Sequence, residues 1–267
     1  MANIFDSGAW QKVWTYRDTF INGFGNTLLT ALFGLLLAFV IGIAVGLMAT
    51  SGKKPLRAIA RVYVEVLQNT PLLLQVCFLY YALAFSGHGI GIIRTGIVSL
   101  GVYTGAYMAE VIRAGIQSIP DGQFEAARSQ GFGYIARMFY IIIPQTVKII
   151  LPPMVNQVVN LIKNTSCLYI IGGADLISTT YSFVTGASTG GAYAPAYIVS
   201  GVLFFIICFP LSTIAGKWEQ SLKKRDAKVV ATTKLEISDA EIDAAIEMQH
   251  TESVSAIESD KDRGVDD

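Results

Sequence analysis

The sequence predicts an all-α, polytopic membrane protein with five transmembrane helices, its N-terminus outside and its C-terminus in the cytoplasm. Three observations carry this. Of 267 residues, 52% are hydrophobic and only 15% are charged, against the ~25% charged residues usual in soluble domains. No Asp, Glu, Lys or Arg occurs in the 34 residues between Asp18 and Lys53, the 28 between Glu65 and Arg94, or the 41 between Asp175 and Lys217. A helix of ~20 apolar residues crosses a bilayer, and each gap exceeds that. The basic residues, finally, gather in alternate loops.

Residues 1–19 read as an N-terminal interfacial segment. They contain Trp10, Trp14 and Tyr16 ahead of Phe20, the amphipathic aromatics that suit a membrane surface. A cleaved signal peptide is not expected, since the first apolar run is too long for the core of one. The transmembrane domain, residues 20–230, holds spans at about 24–49, 62–83, 92–113, 141–163 and 194–215. The fourth is the least regular, with Lys148 and three prolines, Pro144, Pro152 and Pro153. Each proline removes an intrahelical hydrogen bond, which a membrane helix tolerates where neighbouring protein satisfies the freed groups. A kinked fourth helix inside the bundle is expected. Gly42 and Gly46 on the first span form a small-xxx-small pair, suited to close packing within the chain or between two copies.

Orientation follows from the short loops. Lys53, Lys54, Arg57 and Arg61 follow the first span, Arg128 and Arg137 the third, and Lys217, Lys223, Lys224 and Arg225 the fifth. The intervening loops carry almost no basic residues. The formal net charge is zero, but it divides sharply. Residues 1–230 have 17 basic and 9 acidic side chains (17 − 9 = +8), and residues 231–267 have 3 and 11 (3 − 11 = −8). The tail thus reads as an acidic, mostly disordered cytoplasmic extension. It holds one short helix, in which Ser238 and Glu241 form a capping box and Ile242, Ala245, Ile246 and Gln249 share a face. It serves as a solubilising extension or as a partner for basic protein surface.

The loop at 117–140 carries the chemistry. Pro120-Asp121-Gly122 is a turn signal, Asp121 is placed to cap a helix from about Gln123, and Gly131 and Gly133 break the helical run before a second short helix at about Tyr134. Within this loop, Glu125-Ala126-Ala127, three residues, Gly131, nine residues and Ile141-Ile142-Ile143-Pro144 resembles the EAA loop of ATP-binding-cassette (ABC) importer permeases, with Ile143 in place of the usual Leu. Three more segments resemble the polar-amino-acid branch of that family: Tyr63-Val64-Glu65 with Thr70-Pro71-Leu72-Leu73-Leu74-Gln75, Ala106-Tyr107-Met108-Ala109-Glu110-Val111-Ile112-Arg113-Ala114-Gly115, and Lys163-Asn164-Thr165-Ser166. Gln68 stands where many relatives have Arg. The resemblance covers about residues 20–220.

The resemblance implies a type I ABC importer permease fold and a prokaryotic cytoplasmic membrane. It implies import of a polar amino acid, delivered by an extracytoplasmic solute-binding protein. It also implies two ATPase subunits that bind the ATP, and a second permease copy in a homodimer or heterodimer. Glu125, Ala126, Ala127, Gly131 and Pro144 would then form the ATPase-coupling element. On residue chemistry alone, Glu125 also suits the first turn of any helix. Ionisable and polar groups at membrane depth are candidates for a substrate path: Glu65, Asn69, Thr70, Tyr107, Glu110, Asn160, Lys163, Thr165 and Ser166. Two alternatives stand beside this. Glu110 and Arg113, three apart on one helix, can simply pair, and the Lys163 group can bind helix to helix.

Enzymatic activity is not expected. The run Gly46 to Lys54, GLMATSGKK, lacks the phosphate-loop spacing. With His88 and His250 as the only histidines and Cys77, Cys167 and Cys208 in or beside spans, neither a catalytic triad nor a metal site is expected, and no cofactor of its own. The lipid bilayer is the expected environment and nucleic acid is not a partner. A competing class is a stand-alone secondary transporter driven by an ion gradient, which intramembrane carboxylates such as Glu110 would serve.

Overall fold

The computed structural model describes residues 6–224, and all of them that are regular are helical. The predicted tail helix near Ser238 lies outside the described residues. Residues Met1–Gly216 form one compact unit and Lys217–Asp267 a second. In the second, residues 217–224 are helical and carry a Glu219–Lys223 ion pair at 2.7 Å.

In chain order the helices are α1 (Ser7–Thr15), α2 (Arg17–Ala49), α3 (Lys54–Gln68), α4 (Leu72–Phe85), α5 (Ile92–Gln117), α6 (Asp121–Ser129), α7 (Tyr134–Arg137), α8 (Ile143–Asn164), α9 (Leu176–Thr185) and α10 (Tyr193–Lys224). A wide π-turn, Met138–Ile142, leads into α8, and a 3-10 segment, Thr165–Ile171, leaves it. Three helical runs are long and apolar enough to cross a membrane: Arg17–Ala49, Tyr134–Ile171 and Tyr193–Lys224. A fourth results if the bent pair α3–α4 counts as one span.

Two predicted spans therefore look different in the structure. The expected continuous helix at 62–83 is broken, with α3 and α4 meeting at 100°. The expected third span is α5, whose 26 residues would reach ~39 Å at 1.5 Å per residue. It is not among the most apolar helices because its surroundings are protein. Half of its residues are buried, and many of those are Gly, Ser, Thr or Ala. A central helix that touches other helices does not have to be as apolar as one that touches lipid.

α2 and α5 form the spine, and their glycines explain how. A Cβ placed on Gly42 would lie 2.7 Å from the Cβ of Met108, and one on Gly46 would lie 2.8 Å from that of Ile112. The arrangement is reciprocal, since Gly101 and Gly105 of α5 receive Leu37 and Ile41 of α2. The pair at Gly42 and Gly46 is thus occupied within the chain. Around this spine Leu100, Met108, Ile142 and Leu161 are fully buried.

The prolines of α8 fall where the helix can absorb them. Pro144 sits where the wide turn passes into α8. Just before it, the Ile143 N–H reaches back five residues to the Met138 carbonyl, so the wide turn takes up the misfit. Pro152 and Pro153 lie inside the helix, which continues through them.

α1 is a helix with its own cap, since Asp6 Oδ1 accepts from the Gly8 N–H at 2.9 Å. Ala9 and Val13 pack with Phe20, Leu176, Phe183 and Ala196 in a second apolar cluster. Trp14 stays 70% exposed. α9 was not anticipated from sequence. Asp175 is its N-cap: it is 2% exposed, and its carboxylate accepts from the Ile177 N–H at 3.0 Å and from the Ser178 hydroxyl. Thr27 of α2 anchors the same turn by accepting from the Leu176 N–H at 3.0 Å.

Candidate functional site

The break between α3 and α4 is built by the Asn69-Thr70-Pro71 step. Pro71 has no N–H to continue α3. The freed carbonyls of the last turn are taken by side chains: Asn69 Nδ2 donates to Glu65 O at 2.7 Å and Thr70 Oγ1 to Val66 O at 2.8 Å. From the far side, Gln75 Nε2 reaches Leu67 O at 3.0 Å and Thr70 Oγ1 at 2.6 Å. Asn69 and Thr70, predicted for the substrate path, thus sit at the bend and hydrogen-bond its backbone.

The bend lays α3 along α5. Tyr63 donates to the Val102 carbonyl at 2.6 Å, and the Gln68 amide reaches the Ala106 carbonyl at 3.4 Å. Between the two helices lies a groove of about 520 Å³, lined on α3 by Arg57, Arg61, Glu65 and Gln68 and on α5 by Glu110, Arg113 and Gln117. Two ion pairs face it. Arg61 Nε donates to Glu65 Oε1 at 2.6 Å. Arg113 grips Glu110 with two donors, Nε to Oε2 at 2.8 Å and Nη2 to Oε1, and extends Nη1 to Gln117.

The structure therefore brings together two of the predicted path residues, Glu65 and Glu110. It adds Arg57, Arg61, Gln68, Arg113 and Gln117, which sequence reasoning had not assigned to a path. The available signal was the charge spacing, Arg61–Glu65 at i, i+4 and Glu110–Arg113 at i, i+3. Tyr107 hydrogen-bonds the Tyr103 hydroxyl at 3.1 Å. None of the residues at the end of α8 lines this groove. Thr165 is fully buried and donates to Ile162 O at 2.7 Å, and Ser166 donates to Lys163 O at 2.7 Å. Both hydroxyls serve the change from α- to 3-10 geometry. Asn160 and Lys163 are exposed, with no ion pair to Lys163 among the described residues.

The predicted coupling loop forms a helix–turn–helix. α6 begins at Asp121 itself, and Pro120 occupies the cap position. Asp121 thus lies in the first turn, where a negative charge suits the helix dipole, and does not make the capping bond expected of it. α6 is closed off after Ser129 by Gly131, whose φ is +82°. The Phe132 N–H reaches Ala127 O at 3.1 Å and the Gly131 N–H reaches Arg128 O at 3.0 Å. This paired closure needs a left-handed residue, which Gly adopts without cost.

The loop's side chains divide by exposure. Glu125 and Ala126 face outward, while Ala127 is buried within the chain. Arg137 is held behind α6, its guanidinium 5.9 Å from the centre of the Phe124 ring and 5.8 Å from that of Tyr134. A small helix therefore presents a carboxylate and a methyl group on one side and is anchored by packing on the other.

Comparison with known proteins points the same way. Residues 38–224 match the family described as binding-protein-dependent transport system inner membrane component. The chain is 40% identical over 205 residues to the probable glutamine ABC transporter permease protein GlnM of Bacillus subtilis, covering 77% of this chain and 94% of that protein. It is 31% identical to the arginine transport system permease protein ArtQ of the same organism, covering 77% and 93%. Among solved structures, one described as an amino acid ABC transporter with histidines superposes with a TM-score of 0.72 at 32% identity, covering 79% of this chain and 98% of that one. Such a family implies separate ATPase subunits and a binding protein as partners. The chain belongs to the family of inner-membrane components of binding-protein-dependent transport systems, as a multi-pass, non-catalytic permease of the bacterial inner membrane.

Proposed function

We propose that this permease imports a polar amino acid, and that ATP hydrolysed on two ATPase subunits drives it through α6. The observation that carries the coupling role is the geometry of α6. Glu125 and Ala126 are presented outward on a helix whose end is fixed by Gly131 and whose inner face is anchored by Ala127 and Arg137. A push on such a helix passes to α5 and α8 as rigid elements. Pro144 and the π-turn before it lie on that route.

The substrate class rests on the groove between α3 and α5 together with the relatives, whose names specify glutamine and arginine. An amino acid carries one cationic and one anionic group on adjacent atoms. Paired Arg and Glu side chains on facing helices supply both complements. Five crossings, an outside N-terminus and a second permease copy complete the reading, with the basic loops on the cytoplasmic side.

The test is uptake by proteoliposomes holding the permease with its co-purified ATPase and a solute-binding protein. ATP-dependent accumulation of labelled glutamine or arginine is expected, together with its loss on deleting residues 121–131. Unchanged uptake in that deletion would refute the coupling role. Uptake by the permease alone, driven only by an ion gradient, would refute the ATP-driven reading.

A further inference from the structure

A second cavity has no part in the transport reading. It is a groove of about 410 Å³ between α2, α5 and α8, and its lining is apolar throughout, including Phe39, Leu47, Ile116, Ile143, Val147 and Val158. Along α8 it runs from Ile143 to Val158, a rise of ~22 Å at 1.5 Å per residue, which exceeds the ~15 Å thickness of one leaflet's hydrocarbon. At the Ile116 end it adjoins a smaller cavity of about 280 Å³, because Ile116 lines both. That smaller cavity lies behind α6 and has a different character, being lined by Arg57, Gln117, Asp121, Phe124, Tyr134 and Arg137.

The two arginines there are short of partners. Arg137 Nε is buried without a hydrogen-bond acceptor. Neither Arg57 nor Arg137 has a carboxylate within ion-pair distance among the described residues, although Asp121 lines the same cavity. Two guanidinium groups against one carboxylate leave the cavity with an excess positive charge. An apolar channel one leaflet long, ending in such a cavity, has the complementarity of an anionic phospholipid.

We infer that the chain binds an anionic phospholipid, with one acyl chain in the groove between α2, α5 and α8 and the phosphate between Arg57 and Arg137. The lipid headgroup would then join α3 to the coupling loop, since Arg57 belongs to one and Arg137 to the other. Its presence would stiffen the seat of α6.

The test is equilibrium binding of fluorescent dioleoyl phosphatidylglycerol and dioleoyl phosphatidylcholine to the detergent-purified complex of permease and ATPase. A basic group beside an anionic headgroup contributes about fivefold in affinity, so two predict a preference for phosphatidylglycerol of about thirtyfold. Arg57→Gln and Arg137→Gln should each lower phosphatidylglycerol binding by about fivefold, and phosphatidylcholine binding by less, because its choline cation offsets the charge of its phosphate. Val147→Trp, which fills the groove, should weaken both lipids alike. Equal wild-type affinities for the two lipids would overturn the proposal. So would complete displacement by millimolar inorganic phosphate, which would mean a free-anion site. Disulfide-linked dimers of a Val147→Cys chain in native membranes would show a second copy covering the groove, and would also overturn it. The wild-type ratio decides the matter even where a variant fails to assemble. Uptake by the wild-type complex, assayed in parallel, reports on the transport reading separately.

Discussion

Gln75 reaches back across the break between α3 and α4 to Thr70, with its Nε2 2.6 Å from Oγ1. The same amide lies 3.0 Å from Leu67 O, so one side chain satisfies groups that Pro71 and the 100° turn leave without helical partners. Gln75→Leu keeps the volume and removes both donors. A buried carbonyl left without a donor costs ~1–3 kcal/mol. Thermal unfolding in detergent should show destabilisation in that range, and Thr70→Val should cost a similar amount, because Leu67 O keeps its donor but Val66 O loses the Thr70 hydroxyl. Wild-type stability in Gln75→Leu would mean that water serves the bend and the side chain does not.

The contact of α2 with α5 gives a prediction of sign. Gly42 faces Met108 at a distance that leaves no room for a methyl group, whereas nothing lies within 4 Å of a Cβ placed on Gly25 of the same helix. Gly25→Ala should be neutral or stabilise by ~0.5–1 kcal/mol, because alanine favours the helix. Gly42→Ala should destabilise by ~1–3 kcal/mol through overpacking. Melting curves of the two variants should move in opposite directions. A matching shift in both would mean that the helices separate freely at Gly42.

How much of this was legible in the sequence depends on the distance over which each signal acts. Long uncharged runs reveal membrane helices because lipid imposes composition directly, so α2 and α10 were plain. The helix–turn–helix form of the loop at 117–140 was plain as well, since Pro120, Gly131 and Gly133 punctuate it. α5 was located from sequence, but its central place was not, because a helix surrounded by protein has weaker hydropathy. The bend at Asn69-Thr70-Pro71 lay inside an uncharged run, and the run concealed it. The hydrogen bonds of Thr165 and Ser166 were not legible, because hydroxyls are versatile; the geometry shows them donating to backbone carbonyls three residues back at 2.7 Å. α9 was missed although Asp175 and Ser178 have capping spacing, because a ten-residue helix in an uncharged loop has no contrast with its surroundings.

Glu125 and Gly131 should separate coupling from folding. Glu125 is exposed and makes no hydrogen bond or ion pair among the described residues, so Glu125→Arg should leave abundance and melting unchanged. A reversed charge at a docking interface costs several kcal/mol, so ATP-driven uptake should fall by about tenfold or more. Gly131→Ala acts differently, because an alanine at φ +82° costs ~1–2 kcal/mol in local conformational energy. The end of α6 should loosen, which hydrogen exchange at Gly131 and Phe132 would register as faster exchange than in the wild type. Normal uptake by Glu125→Arg would place the ATPase contact elsewhere.

Glu110 and Arg113 allow a structural pair to be told from a substrate-reading one. Their side chains are 40% and 34% exposed, and a solvent-screened i, i+3 pair contributes only ~0.2–0.5 kcal/mol to a helix. Glu110→Gln and Arg113→Gln should therefore melt within about 0.5 kcal/mol of wild type. If the groove reads both ends of an amino acid, each variant removes one charged hydrogen bond to substrate, worth ~1.5–3 kcal/mol. KM for uptake should rise about tenfold or more in both. The double variant Glu110→Arg, Arg113→Glu keeps the pair and the net charge of the groove but exchanges the two positions. A structural pair would be rescued by that exchange in uptake. A substrate-reading pair would keep the raised KM at near-wild-type stability, because carboxylate and guanidinium would each meet the wrong end of the substrate.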